Sequence, residues 1–119
     1  MLFATVGCAN CHVPALKTGP HEVEALANRT FFPFSDFLLH DMGSLGDGIE
    51  QQGRATSREM RTAPLWGLRE ITTFLHDGRA TTVEQAILAH EGQGAGARDR
   101  FRALGLDSKA KLLKFLNSL

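Results

Sequence analysis

Two thiols and an imidazole stand within five residues of one another near the start of the chain, in Cys8-Ala9-Asn10-Cys11-His12. The chain has no other cysteine, so a disulfide framework cannot hold it together. Three chemistries use such a cluster. A redox dithiol of the thioredoxin kind sits beside a βαβ unit, and no alternating apolar pattern here persists long enough to argue for a sheet. A zinc site needs further ligands at metal-binding spacing, and neither a second Cys pair nor a His-x₃₋₅-His follows. Covalent attachment of haem fits as it stands. Two thiols three positions apart can add to the two vinyl groups on one edge of a porphyrin, and the next residue then lies under the iron. The pattern therefore implies one haem c held through Cys8 and Cys11, with His12 Nε2 as proximal ligand. Pro14, two residues on, offers a carbonyl to His12 Nδ1–H, a contact of the kind that orients the ring and raises its basicity.

Composition explains why a cofactor would matter to this fold. The chain is 119 residues long, enough for a single domain over 1–119, and 43% of it is hydrophobic, which sets it apart from disordered chains. Twelve glycines point to many loops and a modest core, which would gain from something to fold around. Thirteen basic and thirteen acidic residues balance, which argues against a nucleic-acid partner and gives no steering field of either sign. Apolar runs are only a few residues long, too short to span a membrane. Residues 1–7 lack the charged start and the length of a signal peptide, so an exported form would have lost its leader or never carried it here.

Local patterns predict an all-α fold of short helices and long loops, a cytochrome c-like domain once the haem pattern is included. Ser35 or Asp36 is placed to cap a short helix over Phe37–His40 that ends at Gly43. Residues 43–59, with Gly43, Gly46, Gly48 and Gly53, read as an irregular loop, and Pro64-Leu65-Trp66-Gly67 as a compact buried segment. Thr81 or Thr82 starts a helix with Glu84 in its first turn and Gly92 past its end. A Gly-rich turn over Gly92–Gly96 leads to a segment over Ala97–Leu104. A last helix, capped by Asp107 or Ser108, carries Ala110, Leu112, Leu113, Phe115 and Leu116 on one face.

The sixth iron ligand has several candidates: Met42, Met60, His21, His40, His76 and His90. Met60 lies at a separation from His12 that suits a small His/Met cytochrome, although a methionine is as readily a core filler. His90 ends an apolar stripe with Val83, Ala86 and Ile87, so its ring faces whatever the helix packs on. His76 before Asp77-Gly78 and His40 at its helix end read as turn residues, and His21 as solvated. These residues alone leave Met60 and His90 both open. Phe31, Phe32, Phe34, Leu65 and Trp66 read as haem packing, with Arg61 and Trp66 as contacts to the propionates; Arg54, Arg69 and Arg79 suit solvated charges equally well.

An ordered series of blocks adds a resemblance. It runs from Cys8–Pro14 through Phe34-Ser35-Asp36-Phe37-Leu38-Leu39-His40-Asp41-Met42-Gly43 to Arg61-Thr62-Ala63-Pro64-Leu65-Trp66-Gly67-Leu68. It continues in Phe74-Leu75-His76-Asp77-Gly78-Arg79-Ala80 and Val83-Glu84-Gln85-Ala86-Ile87-Leu88-Ala89-His90. Over nearly the whole chain this resembles the C-terminal haem domain of the di-haem thiol-oxidoreductase-like proteins, relatives of bacterial di-haem cytochrome c peroxidases and of the methylamine dehydrogenase maturation enzyme. The resemblance implies a distal ligand fourteen residues after the His of the His-x-Gly turn, which here is His90, and an aromatic residue where Met60 stands. It also implies a periplasmic or exported setting, since covalent haem attachment takes place outside the cytoplasm. The relatives are di-haem and continue a longer N-terminal helix, whereas this chain has one Cys-x-x-Cys-His and starts seven residues before it. A truncated, excised or naturally minimal single-haem domain is therefore expected.

The function expected is one-electron transfer by a six-coordinate haem c with redox proteins as partners. A peroxidase-like enzyme is the alternative, and it needs an open distal position with an acid–base group such as His76 or Glu91 beside it. A third reading, a sensing domain in which ligand exchange moves the Gly92–Gly96 turn, has nothing further in its favour. In the relatives peroxide reacts at the other haem, so that activity is not implied here. Because the core is thin without its cofactor, the haem-free chain is expected to be largely unfolded. Far-ultraviolet circular dichroism checks this, and full, cooperatively melting helicity without haem contradicts it.

Overall fold

The computed structural model describes residues 1–50 and 53–119; Gln51 and Gln52, inside the loop expected over 43–59, lie outside the described residues. The helices are α1 (Leu2–Val6), α2 (Val83–Leu88), α3 (Ala95–Ala103) and α4 (Leu106–Leu116). Two antiparallel ribbons join them. One pairs β1 (Leu16–Lys17) with β2 (Thr30–Phe31), the other β3 (Leu39–Asp41) with β4 (Glu59–Arg61). Single 3₁₀ turns fill in the rest, including Cys8–Asn10 and Gly92–Gly94. No helix among the described residues is long and apolar enough to cross a membrane.

The two ribbons correct the all-α expectation. Strands of two or three residues are too short to show alternation in sequence, and each pairs with a partner far along the chain. The helix expected over Phe37–His40 is replaced by β3 for a local reason. Ser35 and Asp36 do use their side chains on the backbone, as a cap would, but two residues ahead. Phe37 N–H donates to Ser35 Oγ at 2.9 Å and Leu38 N–H to Asp36 Oδ1 at 2.9 Å. These are turns, not caps. Phe34 and Phe37 also hold φ of 50° and 59°, a left-handed backbone that a right-handed helix excludes.

Helices from the two ends of the chain, α1, α3 and α4, supply most of the core. Phe3 and Val6 of α1 pack with Leu68, Val83, Phe101, Leu112 and Leu116. Phe3, Phe34 and Phe115 meet edge-on, with ring centroids 5.6 to 5.9 Å apart. Gly7 ends α1 at φ 96°, and Arg100 of α3 reaches across to donate from Nε to the Val6 carbonyl at 2.7 Å. This closes the turn that carries Cys8 onto α3.

Helix limits differ from expectation by a few residues. Thr82 caps α2 by accepting from Gln85 N–H, with Glu84 in the first turn as expected, but α2 stops at Leu88. His90 therefore follows the helix instead of ending it. The chain turns helical again at Ala95, within the expected Gly-rich turn, and α4 starts at Leu106 with Gly105, not Asp107 or Ser108, as its cap.

Phe101 is fully buried at the centre of this core. Phe101→Ala is expected to cost about 3–5 kcal/mol of stability, measured by chemical denaturation; a loss below about 1 kcal/mol would place the core elsewhere.

Candidate functional site

A cavity of about 450 Å³ opens between the Cys8–His12 turn, the β3–β4 ribbon, the Pro64–Leu68 segment and the stretch from α2 to α3. Its size is that of a cofactor pocket, and most of its wall is apolar, with Phe3, Leu45, Leu65, Leu68, Ile87 and Leu116 among the residues lining it.

His12 and His90 meet across this cavity. Their ring centroids are 6.5 Å apart, with the planes at 50°. Each ring is held from behind by main chain. His12 Nδ1 lies 2.9 Å from the Phe34 carbonyl, and His90 Nδ1 lies 2.8 Å from the Ala86 carbonyl four residues earlier. A carbonyl only accepts, so both Nδ1 atoms carry the proton and both Nε2 atoms keep their lone pair. Burial, first of all, pushes both imidazoles below their ordinary range. Burial therefore favours the neutral form of both rings.

The Phe34 carbonyl takes the role expected of Pro14, which is exposed and takes no part in the wall. The left-handed φ of Phe34 belongs to the same turn that aims this carbonyl at His12. The 3₁₀ turn over Cys8–Asn10 places Cys8, Cys11 and His12 together on the cavity wall. Both thiols are free and partly buried, and burial raises both above the usual thiol range; near Cys11 the Asp36 charge adds to this.

The ribbon builds the opposite side. In its register Leu39 faces Arg61, His40 faces Met60 and Asp41 faces Glu59. His40, Met60 and Arg61 line the cavity, as do Met42, His76 and Leu65. Arg61 also stacks its guanidinium over Phe37, 5.8 Å from the ring centroid. His40 is the residue whose place sequence reasoning missed. Its Nε2 pairs with Asp36 Oδ2 at 2.8 Å, while its Nδ1 stands 3.8 Å from Cys11 Sγ. The two residues lie twenty-nine positions apart, and the turn at Phe34–Phe37, where Asp36 N–H donates to the Cys11 carbonyl at 2.8 Å, helps bring them together.

Trp66 is not on the wall. It is 54% exposed and stacks on Phe31 at 6.4 Å, and Phe32 is 62% exposed. Phe34 lies in the aromatic core. Of the five residues expected to pack on haem, only Leu65 lines the cavity, and none of the four aromatics does.

These residues fit a haem. One metal ion between two imidazoles, with bonds of about 2.0 Å and roughly 1 Å more from each nitrogen to its ring centre, sets centroids about 6 Å apart. The 6.5 Å separation matches this, and the apolar cavity and two adjacent free thiols suit the porphyrin.

Gly92 pins the His90 side to β3. It has φ +52°, and a side chain there would run into the Asp41 carbonyl. Gly92→Ala is expected to cost on the order of 1–3 kcal/mol and to speed amide exchange over residues 41–44; unchanged exchange there would show that the contact does not hold the segment.

Comparison with known proteins places the chain. It matches the family described as "Di-haem oxidoreductase, putative peroxidase" over residues 1–119, and it belongs to that family. No curated protein and no solved structure matches it.

Proposed function

Starting from membership of the di-haem oxidoreductase family, we propose that this chain holds one haem c through thioethers to Cys8 and Cys11, with His12 and His90 as axial ligands, and passes single electrons between redox proteins. The observation that carries the reading is the pair of imidazoles, 6.5 Å apart across an apolar cavity with both thiols in its wall. Haem, when bound, supplies an iron centre that takes up and gives back one electron.

The protein's part is to keep that centre rigid, dry and six-coordinate. The Phe34 and Ala86 carbonyls hold the His12 and His90 rings in one tautomer and one orientation, which also makes each a better donor. Two such rings would offer the iron the same donor set in either oxidation state. Leu45, Leu65, Leu68 and Ile87 keep water away. Arg61, on the wall, is the cation this reading places with the propionate carboxylates. Imidazole in place of thioether lowers the reduction potential, and burial raises it. Thioether attachment takes place outside the cytoplasm, so a periplasmic or exported setting belongs to the proposal.

A peroxidase is the rival reading, which the family description keeps in view, with His76 on the same wall as its acid–base group. It requires an iron open on the distal side. Absorption and EPR spectra of both oxidation states decide between the two. Low-spin bis-imidazole signals are expected in both; high-spin ferric iron that reacts rapidly with peroxide overturns the carrier. Changing His90 to Ala is expected to alter the ligand field, and unchanged spectra would remove His90 from the iron.

A further inference from the structure

The cavity wall holds two methionines, Met42 and Met60, and they do not stand at the same place. Met60 pairs in register with His40, whose other contact is Cys11. Its strand partner is thus the residue that stands beside Cys11. Met42 is one residue beyond β3, two on from His40, and its surroundings are those of His90. The observation lies at Gly94. A Cβ built there would stand 3.0 Å from Met42 Cε, 3.1 Å from His90 Cβ and 3.1 Å from His90 Cδ2. The methionine's thioether end and the imidazole edge next to Nε2 thus converge on one glycine whose lack of a side chain leaves them room.

The main chain keeps these two residues together. Asp41 N–H donates to Gln93 Oε1 at 2.9 Å, and Ser44 N–H donates to Glu91 Oε2 at 3.0 Å. Gly92 fits closely against the Asp41 carbonyl between those two bonds. Met42 itself is anchored by its N–H to the Arg58 carbonyl at 2.9 Å. The segment carrying Met42 is stitched to the residues that follow His90, so the two donors share one piece of wall.

We propose that Met42 is a second donor for the distal position, held beside His90 and taking the iron when the imidazole is withdrawn. This rests on the reading above, in which His90 is the resident ligand. A thioether is a weak, neutral, polarizable donor on a chain of three rotatable bonds, so it can swing to a nearby metal without moving the backbone. The exchange makes one iron–sulfur bond and breaks one iron–nitrogen bond, with no electron gained or lost. Its consequence is directional: thioether in place of imidazole raises the potential of the haem.

The test uses the haem-loaded chain. In the parent protein the ferric spectrum is expected to lack a sulfur-to-iron charge-transfer band; finding it there refutes His90 as resident ligand, a separate failure. In His90→Ala the band is expected to appear, with the iron still low-spin and the potential raised. Adding Met42→Leu is expected to abolish the band and give high-spin iron, whereas adding Met60→Leu leaves it. A high-spin His90→Ala protein without the band, or a band that survives Met42→Leu, overturns the proposal. NMR of the parent ferric protein with ¹³C-methyl methionine covers the case in which the His90 variant fails to fold. The Met42 methyl, assigned by Met42→Leu, is expected among the paramagnetically shifted signals, and an unshifted Met42 methyl overturns the proposal as well.

Discussion

Two hydrogen bonds from imidazole Nδ1–H to main-chain carbonyls set up the site. The carbonyls of Phe34 and Ala86 decide which nitrogen of His12 and of His90 is free to bind a metal. The backbone that places those carbonyls differs in the two cases. Ala86 lies within α2 and reaches His90 by the ordinary four-residue step of a helix, although the helix itself has already ended. Phe34 depends on a left-handed turn that also carries Ser35 and Asp36 into their side-chain contacts. A regular element builds one side of the cavity and a strained turn the other.

The ribbons and glycines serve the same end. The β3–β4 pairing carries His40, Met60 and Arg61 to the wall, and the end of β3 with the residues after it binds to the segment after His90. Gly92 and Gly94 allow this close approach in different ways. Gly92 needs a positive φ and contact with backbone, while Gly94 has an ordinary φ and leaves room for two side chains. The many glycines of a small chain are thus part of how a cavity is enclosed with little helix.

Several residues of the cavity wall were legible in sequence, and much of the architecture was not. The Cys8–His12 pentapeptide, and the step of Val83, Ala86, Ile87 and His90, are local patterns. All four residues of that step do line the cavity, although α2 stops before His90. Met60 and Arg61 were candidates for contact, and both stand on the wall. Trp66 and Pro14 were candidates too, and neither does. Pro14 gave way because a carbonyl twenty-two residues from His12 is better placed than one two residues away, and no local pattern carries that information. The all-α expectation failed on strands too short to show a period.

From the sequence alone came the Cys8, Cys11 and His12 cluster, since thiol and imidazole spacing is a covalent property of the chain. It also determined the amphipathic α2 and α4, whose faces follow from the helical repeat. Only the tertiary structure decided that the His12 and His90 rings lie 6.5 Å apart in one cavity, that His40 stands beside Cys11, and that Met42 stands beside His90. The reason is that these pairings join residues far apart in sequence. They rest on turns whose backbone angles are set by side-chain hydrogen bonds and by close packing, and neither has a periodic trace.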